Sequence, residues 1–449
     1  MNEINDTLEQ LKKQAQEYIE QIMCMKSQDI EKTAYESKAI ERNGMTSNAK
    51  LLLHLLLIYA VSQVSLRAIA VLGYTIGKVN VSDEAWRQRF LKCGLWISLM
   101  LSNALSSLSP GRLVYSYNGT KMQVYLIDAT SFKQEGEKGA ELRAHMCYNL
   151  TKGSMEEVII TDNRVAESAG RFKIKAGELY IGDAGYGKGV NMEYIASHQG
   201  YALFRISPNQ VKLTLDSKGR NVIDMATKLK TNKKRVVIKC FVHTKNGQYI
   251  PVRIIASRLP EDKALLARER KIRASQKRQK QIKEVTLEYS QWVILMTNLD
   301  SSYSAESLLQ LYRSRWQIEL LFKRIKQFFN VKRIKKASLA HTKLLVMLWI
   351  LIWAAVERKS LEAEIRLLEL GEDMNRYSPW CMSMMLFNQF ETMLNSLWAF
   401  QFDFALHIAV IYRLMRNHKA SRQNQYADSR FSELFENLPC SHALPFVAA

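Results

Sequence analysis

The chain of 449 residues is long enough for roughly two to four domains and a sizeable core. Its 64 Lys and Arg residues against 43 Asp and Glu give a net charge of +21, which favours a polyanionic partner, first of all nucleic acid. A membrane partner is not expected, because the longest apolar runs, 51–61 and 344–356, fall short of the roughly 20 residues that a span requires. A merely basic protein is the alternative explanation of the charge.

The start of the chain shows no secretory signal, since residues 1–6 lack a basic region followed by an apolar one. The six cysteines are scattered, without paired C-x-x-C spacing. Dispersed cysteines of this kind suit a reducing compartment and disfavour a zinc site. We therefore expect a cytoplasmic protein.

Residues 1–112 are predicted to be helical, because Leu, Ile, Ala and Met recur at spacings of three and four. Within them, 64–73 and 81–90 resemble two helices joined by a turn, with Ser82 as the N-cap of the second. An ordinary helical hairpin in a small bundle is one interpretation, and a DNA-recognition helix is the other. In the second case, the cations that face DNA are Arg87, Arg89 and Lys92.

From about 120 to 206 the pattern changes to short strands, two of which end in an aspartate. The run 122–128 alternates and then turns apolar before Asp128, while 178–183 is a short apolar strand that ends in Asp183 and a Gly-rich turn. An aspartate at a strand end is usually a turn former or a helix cap, so neither one alone indicates a catalytic site. Further strands are expected at 141–150, 156–162 and 201–206, and helices near 164–173 and 189–199.

Residues 207–300 contain strand-like runs at 235–243, 249–257 and 292–297. Between the last two lies 263–283, where nine Lys and Arg residues are offset by one acid. A charge run is most often a solvated helix face, but so one-sided a surplus favours a segment that follows a phosphate backbone. The cations expected to contact DNA are Lys271, Arg273, Lys277 and Arg278.

The stretch 311–326 has no Pro or Gly and is predicted to form one helix. At about 100° per residue its chemistry-bearing side chains fall in one narrow stripe beside an apolar seam. A carboxylate flanked by two cations and a phenol suits a site that holds both a metal and a phosphate backbone, whereas solvated charges on an amphipathic helix are the alternative. The four residues are Tyr312, Arg315, Glu319 and Lys326.

These four residues match the Tyr-(2)-Arg-(3)-Glu-(6)-Lys signature of the insertion-sequence-four family of DDE transposases, which the chain resembles over about 120–206 and 285–340. The resemblance implies an α/β, ribonuclease-H-like catalytic core, with helical regions on both sides and a mainly β insertion. It also places Asp128, Asp183 and Glu319 as the three catalytic acids and metal ligands.

The resemblance implies further roles. Relatives often carry a helical end-binding domain near the N-terminus, which favours DNA binding there. Trp292 is placed like the Trp that stacks on an extruded base in hairpin-forming members, and a Trp that anchors its strand in the core is the alternative. Because two transposon ends must be joined, a homodimer on paired ends is expected, with 338–418 contributing to the contact.

Three acids suit phosphodiester chemistry, because two hard cations can stabilise both the attacking and the leaving oxygen of an in-line displacement. Oxygen ligands favour two Mg²⁺ ions, with Mn²⁺ as a substitute. Arg315 and Lys326 are expected to hold phosphates near the scissile bond, and Tyr312 to bind a phosphate or stack beside a flipped nucleotide.

The expected function is a transposase of the bacterial cytoplasm, nucleoid-associated when bound, that cuts double-stranded DNA at the ends of its element and joins the 3′ ends to target DNA. A stand-alone nuclease of the same fold and a retired, DNA-binding repressor are the alternatives. The predicted regions are a helical DNA-binding domain at 1–112, the first part of the core at 113–206, the insertion at 207–300, the catalytic helix at 301–340 and a helical region with a tail at 341–449.

Overall fold

A computed structural model gives the fold of most of the chain. It describes residues 25–41, 48–62, 64–77, 81–106, 122–133, 142–152, 154–230, 234–329, 337–373 and 378–396, together with residues 20, 79 and 334. The first 19 residues of the predicted N-terminal domain lie outside these ranges, as do the end of the predicted C-terminal helical region and the predicted tail, residues 397–449.

Within the described residues, helices come first, then strands interspersed with helices, and then helices again. The strands are β1 (Val124–Phe132), β2 (Leu142–Asn149), β3 (Ser154–Asp162), β4 (Leu179–Gly182), β5 (Tyr201–Arg205), β6 (Leu213–Thr214), β7 (Arg235–His243), β8 (Tyr249–Arg258) and β9 (Trp292–Thr297). The helices are α1 (Ser27–Glu36), α2 (Ala49–Ser62), α3 (Leu66–Gly77), α4 (Asp83–Lys92), α5 (Gly94–Ser106), α6 (Gly189–Ser197), α7 (Met225–Leu229), α8 (Glu261–Lys277), α9 (Glu284–Ser290), α10 (Ala305–Arg313), α11 (Trp316–Phe328), α12 (Leu339–Glu369) and α13 (Pro379–Ser396).

One nine-stranded sheet contains all of these strands, in the order β3-β2-β1-β4-β5-β9-β8-β7-β6. β1, β4 and β5 run parallel to one another, whereas β2 and β3 pair antiparallel on the other side of β1. The first five strands and their flanking helices confirm the predicted α/β, ribonuclease-H-like fold.

The predicted β insertion is built onto the core sheet itself. β9 pairs antiparallel with β5 through Arg205↔Leu295, and β8 and β7 follow in antiparallel order. The basic helix α8 and the short helix α9 lie between β8 and β9 in the chain. The insertion therefore continues the hydrogen-bonded sheet that carries the candidate acids.

The sheet is buried on both faces, which explains why its central strands are almost continuously apolar. On β1, Leu126 belongs to the core on one face, and Tyr125 and Ile127 belong to the core on the other. Side chains alternate along a strand, so Asp128 lies on the face of Leu126. This is the face on which α11 packs against β1.

The helix α12 lies at the centre of the helical layer on that face. It is 31 residues long and, among the described residues, is the one helix apolar and long enough to cross a membrane, yet 83% of its most apolar stretch is buried inside the protein. Trp349 donates its indole N–H to the Ala60 carbonyl of α2 at 2.8 Å. The apolar run 344–356 is therefore accounted for by the core of this chain and leaves little apolar surface for a dimer contact.

The sequence pattern predicts that β1 ends at Asp128, but the strand continues to Phe132. Its parallel pairing with β4 stops at Ile127↔Gly182, but its antiparallel pairing with β2 continues to Phe132↔Leu142. The predicted helix near 164–173 is also wrong, because only the 3₁₀ turn Ala169–Arg171 forms there. Local side-chain bonds, such as the one from the Gly170 amide to the Ser168 hydroxyl, hold this segment in turns.

The predicted single helix over 311–326 is two helices, since α10 ends at Arg313 and α11 begins at Trp316. The hydroxyl of Ser314 donates to the Leu311 carbonyl at 2.6 Å, a local bond that bends helices. The amide of Arg315 donates to the Tyr312 carbonyl three residues earlier, so the junction is a tight turn.

The side chain of Asn298 joins the end of β9 to the start of β5. Its Oδ1 accepts the Ala202 amide at 2.7 Å and its Nδ2 donates to the Gly200 carbonyl at 3.0 Å. We expect Asn298→Ala to lower the free energy of unfolding by about 1–3 kcal/mol, because it leaves partly buried backbone groups unpaired. Urea denaturation measures this, with the exposed Asn209→Ala as a control that should be close to wild type. Equal stability of the two variants would contradict a role for Asn298 at this junction.

Candidate active site

Asp128 and Asp183 lie side by side at the carboxyl edge of two neighbouring parallel strands. The last parallel pair of β1 and β4 is Ile127↔Gly182. Asp128 directly follows Ile127, and Asp183 directly follows Gly182. Asp183 Oδ1 accepts the Gly185 amide at 2.8 Å, so the turn after β4 fixes this carboxylate. The register of two strands thus brings together two acids that are 55 positions apart.

Glu319 on α11, the third predicted acid, is linked to this edge of the sheet by Arg315. Arg315 Nη1 lies 3.4 Å from Asp128 Oδ2, and its Nη2 lies 2.6 Å from Glu319 Oε1. The Arg315 and Asp128 side chains are 19% and 12% exposed, whereas that of Glu319 is 54% exposed. The guanidinium therefore stands between two of the predicted acids and links β1 to α11.

Tyr312 and Lys326 flank this ion pair. The Arg315 guanidinium lies over the Tyr312 ring, 5.9 Å from its centroid, and burial raises the pKa of the phenol to about 12. Lys326 Nζ donates to the Ser131 carbonyl of β1 at 3.1 Å and lies over the Phe132 ring. Burial lowers the pKa of Lys326. The Tyr312 ring packs against the Arg315 guanidinium. Lys326 joins α11 to the end of β1.

The surroundings of the Asp128 carboxyl disfavour its ionised form. Burial raises its pKa to about 7, and the negative charges of Asp183 and Glu167 act in the same direction. The Ala129 amide and Arg315 oppose this rise. Near neutral pH the site therefore exchanges a proton with solvent, and a cation that binds there competes with that proton.

Glu167 and Tyr186 interact electrostatically with the candidate acids, and the sequence pattern indicated neither. Glu167 lies in the loop after β3, and burial together with the charge of Asp183 raises its pKa. Tyr186 is fully buried, and within the described residues its hydroxyl has no hydrogen-bond partner. The loop has no periodicity to mark Glu167, but the glycines after Asp183 signalled a close approach at Gly185.

Trp292 lies on the face of the sheet opposite Asp128. It is 5% exposed and belongs to the core on the face opposite Asp128, beside apolar residues of β8 and β9. Its position in this structure is that of a core anchor for β9. Base stacking would require the ring to leave that core.

The predicted cations outside the site fall into two groups. Lys271 and Lys277 on α8 and Arg278 at its C-terminal end are exposed, and Arg273 is paired with Glu269 on the same helix. On α4, which Ser82 caps as predicted, the cations contact the protein's own acids and carbonyls. Arg87 pairs doubly with Glu84 at 2.7 Å. The α8 surface is therefore the more open of the two to a phosphate backbone.

The family model for the transposase DDE domain matches residues 119–354, more than half of the chain, and this range contains all three acids. The chain belongs to this family. It is 28% identical over 323 residues to the putative transposase InsL for insertion sequence element IS186A of Escherichia coli (strain K12), covering 70% of this chain and 86% of that protein. The transposase for insertion sequence element IS421 of Escherichia coli is also 28% identical, over 324 residues with the same coverage.

DDE transposase domains generally use divalent metal ions, and the donor atoms of this site fit such ions. Asp128 and Asp183 offer only oxygen ligands, which suit Mg²⁺ and Mn²⁺, and Mg²⁺ takes only one or two protein carboxylates beside its waters. Among the described residues, no three His, Cys, Asp or Glu side chains converge on one point. The ion pair of Arg315 with Glu319 and Asp128 occupies the gap between those two acids.

The pKa of Asp128 gives the site a defined pH dependence. A carboxyl with a pKa of about 7 is largely protonated at pH 6, and a metal ion must displace that proton. We expect Mn²⁺ affinity in the absence of DNA to rise between pH 6 and pH 8, by up to about tenfold per unit at the acid end. Calorimetry in buffers of different ionisation enthalpy should show about one proton released at pH 6 and almost none at pH 8. Affinity independent of pH would contradict the assignment of Asp128.

Proposed function

We propose that this protein is a DNA transposase that cuts at the ends of an insertion sequence and joins the freed 3′ ends to target DNA. The observation that carries the proposal is the pairing of Asp128 and Asp183 on neighbouring parallel strands, with Glu319 held beside them by Arg315. Membership of the DDE family and the likeness to transposases of insertion sequences support it.

The acids supply what phosphoryl transfer needs from a protein. Asp128, Asp183 and Glu319 would hold two Mg²⁺ ions, which when bound activate a water or a 3′-hydroxyl and neutralise charge on the phosphate. Asp128 and Asp183 are fixed by strand register, so their carboxylates need little rearrangement. Glu319 lies on the first turn of α11 and is the most exposed of the three, so it can move towards the aspartates.

Arg315 has two roles in this proposal. Without cations, its guanidinium offsets the repulsion between Asp128 and Glu319. Where those acids hold cations instead, the same planar fork would be available to bind a phosphate near the scissile bond. Tyr312 keeps the guanidinium at the site in both states through its ring contact. Lys326 holds the end of β1 and adds a point charge beside it.

The DNA path includes the exposed face of α8 in this proposal. Its cations project from a helix that is attached to the sheet carrying the acids, so DNA bound there would be held in a fixed relation to the site. The N-terminal helices are proposed to bind the transposon ends, with Arg87 exchanging Glu84 for a phosphate. A homodimer on paired ends, in the cytoplasm, completes the proposal, because two ends must be joined to one target.

Two assays separate this function from its alternatives. A stand-alone nuclease cleaves end DNA but does not join 3′ ends to a target plasmid, so a strand-transfer assay distinguishes it. A retired repressor binds DNA and does neither. The three acids argue against retirement, because a binding protein has no physical reason to keep repelling carboxylates together.

Removal of any one acid should abolish chemistry and spare binding. We expect Asp128→Ala, Asp183→Ala and Glu319→Ala each to eliminate Mg²⁺-dependent cleavage of end DNA, with affinity for that DNA close to wild type. Asp162→Ala is the matched control, since Asp162 also ends a strand but is exposed and bonds to the Arg164 amide. Near-normal cleavage by one of the three variants would remove that residue from the site.

Neutralising α8 should weaken DNA binding without regard to sequence. We expect replacement of four cations at the C-terminal end of α8 by Gln to lower affinity for end DNA and random DNA alike, and to reduce the salt slope by about 0.9 for each lost phosphate contact. The residues are Lys271, Arg273, Lys277 and Arg278. Replacing the exposed Lys343 and Arg366 of α12 is the control. An unchanged salt slope would mean that the α8 charges are only solvated.

A further inference from the structure

We propose that Glu167 is a fourth carboxylate of this site and that it holds the divalent ion together with Asp183 across the turn at Gly185. The inference rests on the proposed function, since it names a further residue for the same metal-dependent chemistry. It concerns a loop residue outside the strand-strand-helix set of acids.

Gly185 shows how close the two carboxylates lie. A Cβ atom added there would be 2.0 Å from Glu167 Oε2 and 3.0 Å from Asp183 Oδ1. The two oxygens are therefore at most 5 Å apart, since both distances start from one point. A side chain at this position would displace Glu167, so the glycine makes room for a second carboxylate beside Asp183.

Arg143 restrains Glu167 from the other side. Its guanidinium lies 3.9 Å from Glu167 Oε1 and also donates to the Val165 carbonyl at 3.1 Å and to Asn163 Oδ1 at 3.3 Å. The loop is thus already fastened to β2 by two bonds that do not involve the carboxylate of Glu167. The long ion pair leaves that carboxylate incompletely neutralised beside the like charge of Asp183.

Tyr186 is a second, independent observation beside these carboxylates. Its hydroxyl is fully buried without a hydrogen-bond partner among the described residues, and its phenol is within electrostatic range of Glu167, Asp128 and Asp183. Buried hydroxyls are normally hydrogen-bonded to protein or ordered water. A hydrated cation held by Asp183 and Glu167 would bring water molecules within reach of this hydroxyl.

A purely structural salt bridge between Glu167 and Arg143 is the competing explanation, and it makes opposite predictions. If the salt bridge stabilises the loop, Glu167→Gln lowers the Tm of the metal-free protein and leaves metal affinity unchanged. If Glu167 serves the cation, the same variant removes a repulsion with Asp183, so its metal-free Tm does not fall. The variant then loses metal affinity instead.

The test measures Mn²⁺ binding to the full-length protein without DNA. Calorimetry gives the affinity, and the rise in Tm on adding Mn²⁺ gives an independent readout. We expect Glu167→Gln to weaken binding by about tenfold or more, the range typical of residues that support a metal site, and Glu167→Asp to recover part of the loss. The matched control is Glu157→Gln, since Glu157 is a similarly half-buried glutamate that bonds to the Lys173 amide. That control should bind like wild type.

Asp183→Asn distinguishes failure of this inference from failure of the proposed function. Loss of affinity in Asp183→Asn with unchanged affinity in Glu167→Gln would overturn the role of Glu167 and leave the proposed site intact. Unchanged affinity in both variants would overturn the proposed site itself, and the role of Glu167 with it.

Discussion

The repulsion among carboxylates at one edge of the sheet is the constraint on which this structure depends. Asp128 and Asp183 are neighbours by strand register, and burial on β1 makes the charge of Asp128 costly enough to raise its pKa to about 7. Arg315 offsets that charge through its ion pair and so docks α11 on the sheet. The ion pair thus adds an electrostatic link between α11 and β1 to the apolar packing of that helix.

The rest of the fold keeps these groups in place. Apolar cores on both faces hold β1 and β4 in register, and the strands of the insertion extend the same sheet through β9. The long helix α12 fills the centre of the helical layer on the α11 side. Strand register therefore places Asp128 and Asp183, whereas Glu319 is 54% exposed and is tied to the site by Arg315.

The family resemblance, and no local pattern, assigned the three acids, and their catalytic roles remain predictions. Sequence patterns predicted most of the strands, since alternation and apolar runs are local signals. These patterns failed where long-range strand pairing or local side-chain bonds determine where a strand or helix ends. Pairing with β2 carries β1 past Asp128, and the hydroxyl of Ser314 breaks the predicted catalytic helix. Glu167 could not be found, because a loop residue has no periodicity and its approach to Asp183 depends on tertiary packing. Trp292 is buried in this structure, but its two interpretations, core anchor and base-stacking residue, both remain predictions.

The most direct test of the central claim, that these acids bind the metal ions of the reaction, is a change of metal preference. Replacing Asp183 by Cys substitutes a soft thiolate for a hard carboxylate, which Mg²⁺ accepts poorly and Mn²⁺ tolerates better. We predict that Asp183→Cys fails to cleave end DNA in Mg²⁺ and regains cleavage in Mn²⁺. The wild-type protein should cleave with either ion and should not cleave once a chelator removes them. Cleavage by the variant in Mg²⁺ at the wild-type rate, or by wild type in excess chelator, would contradict the central claim.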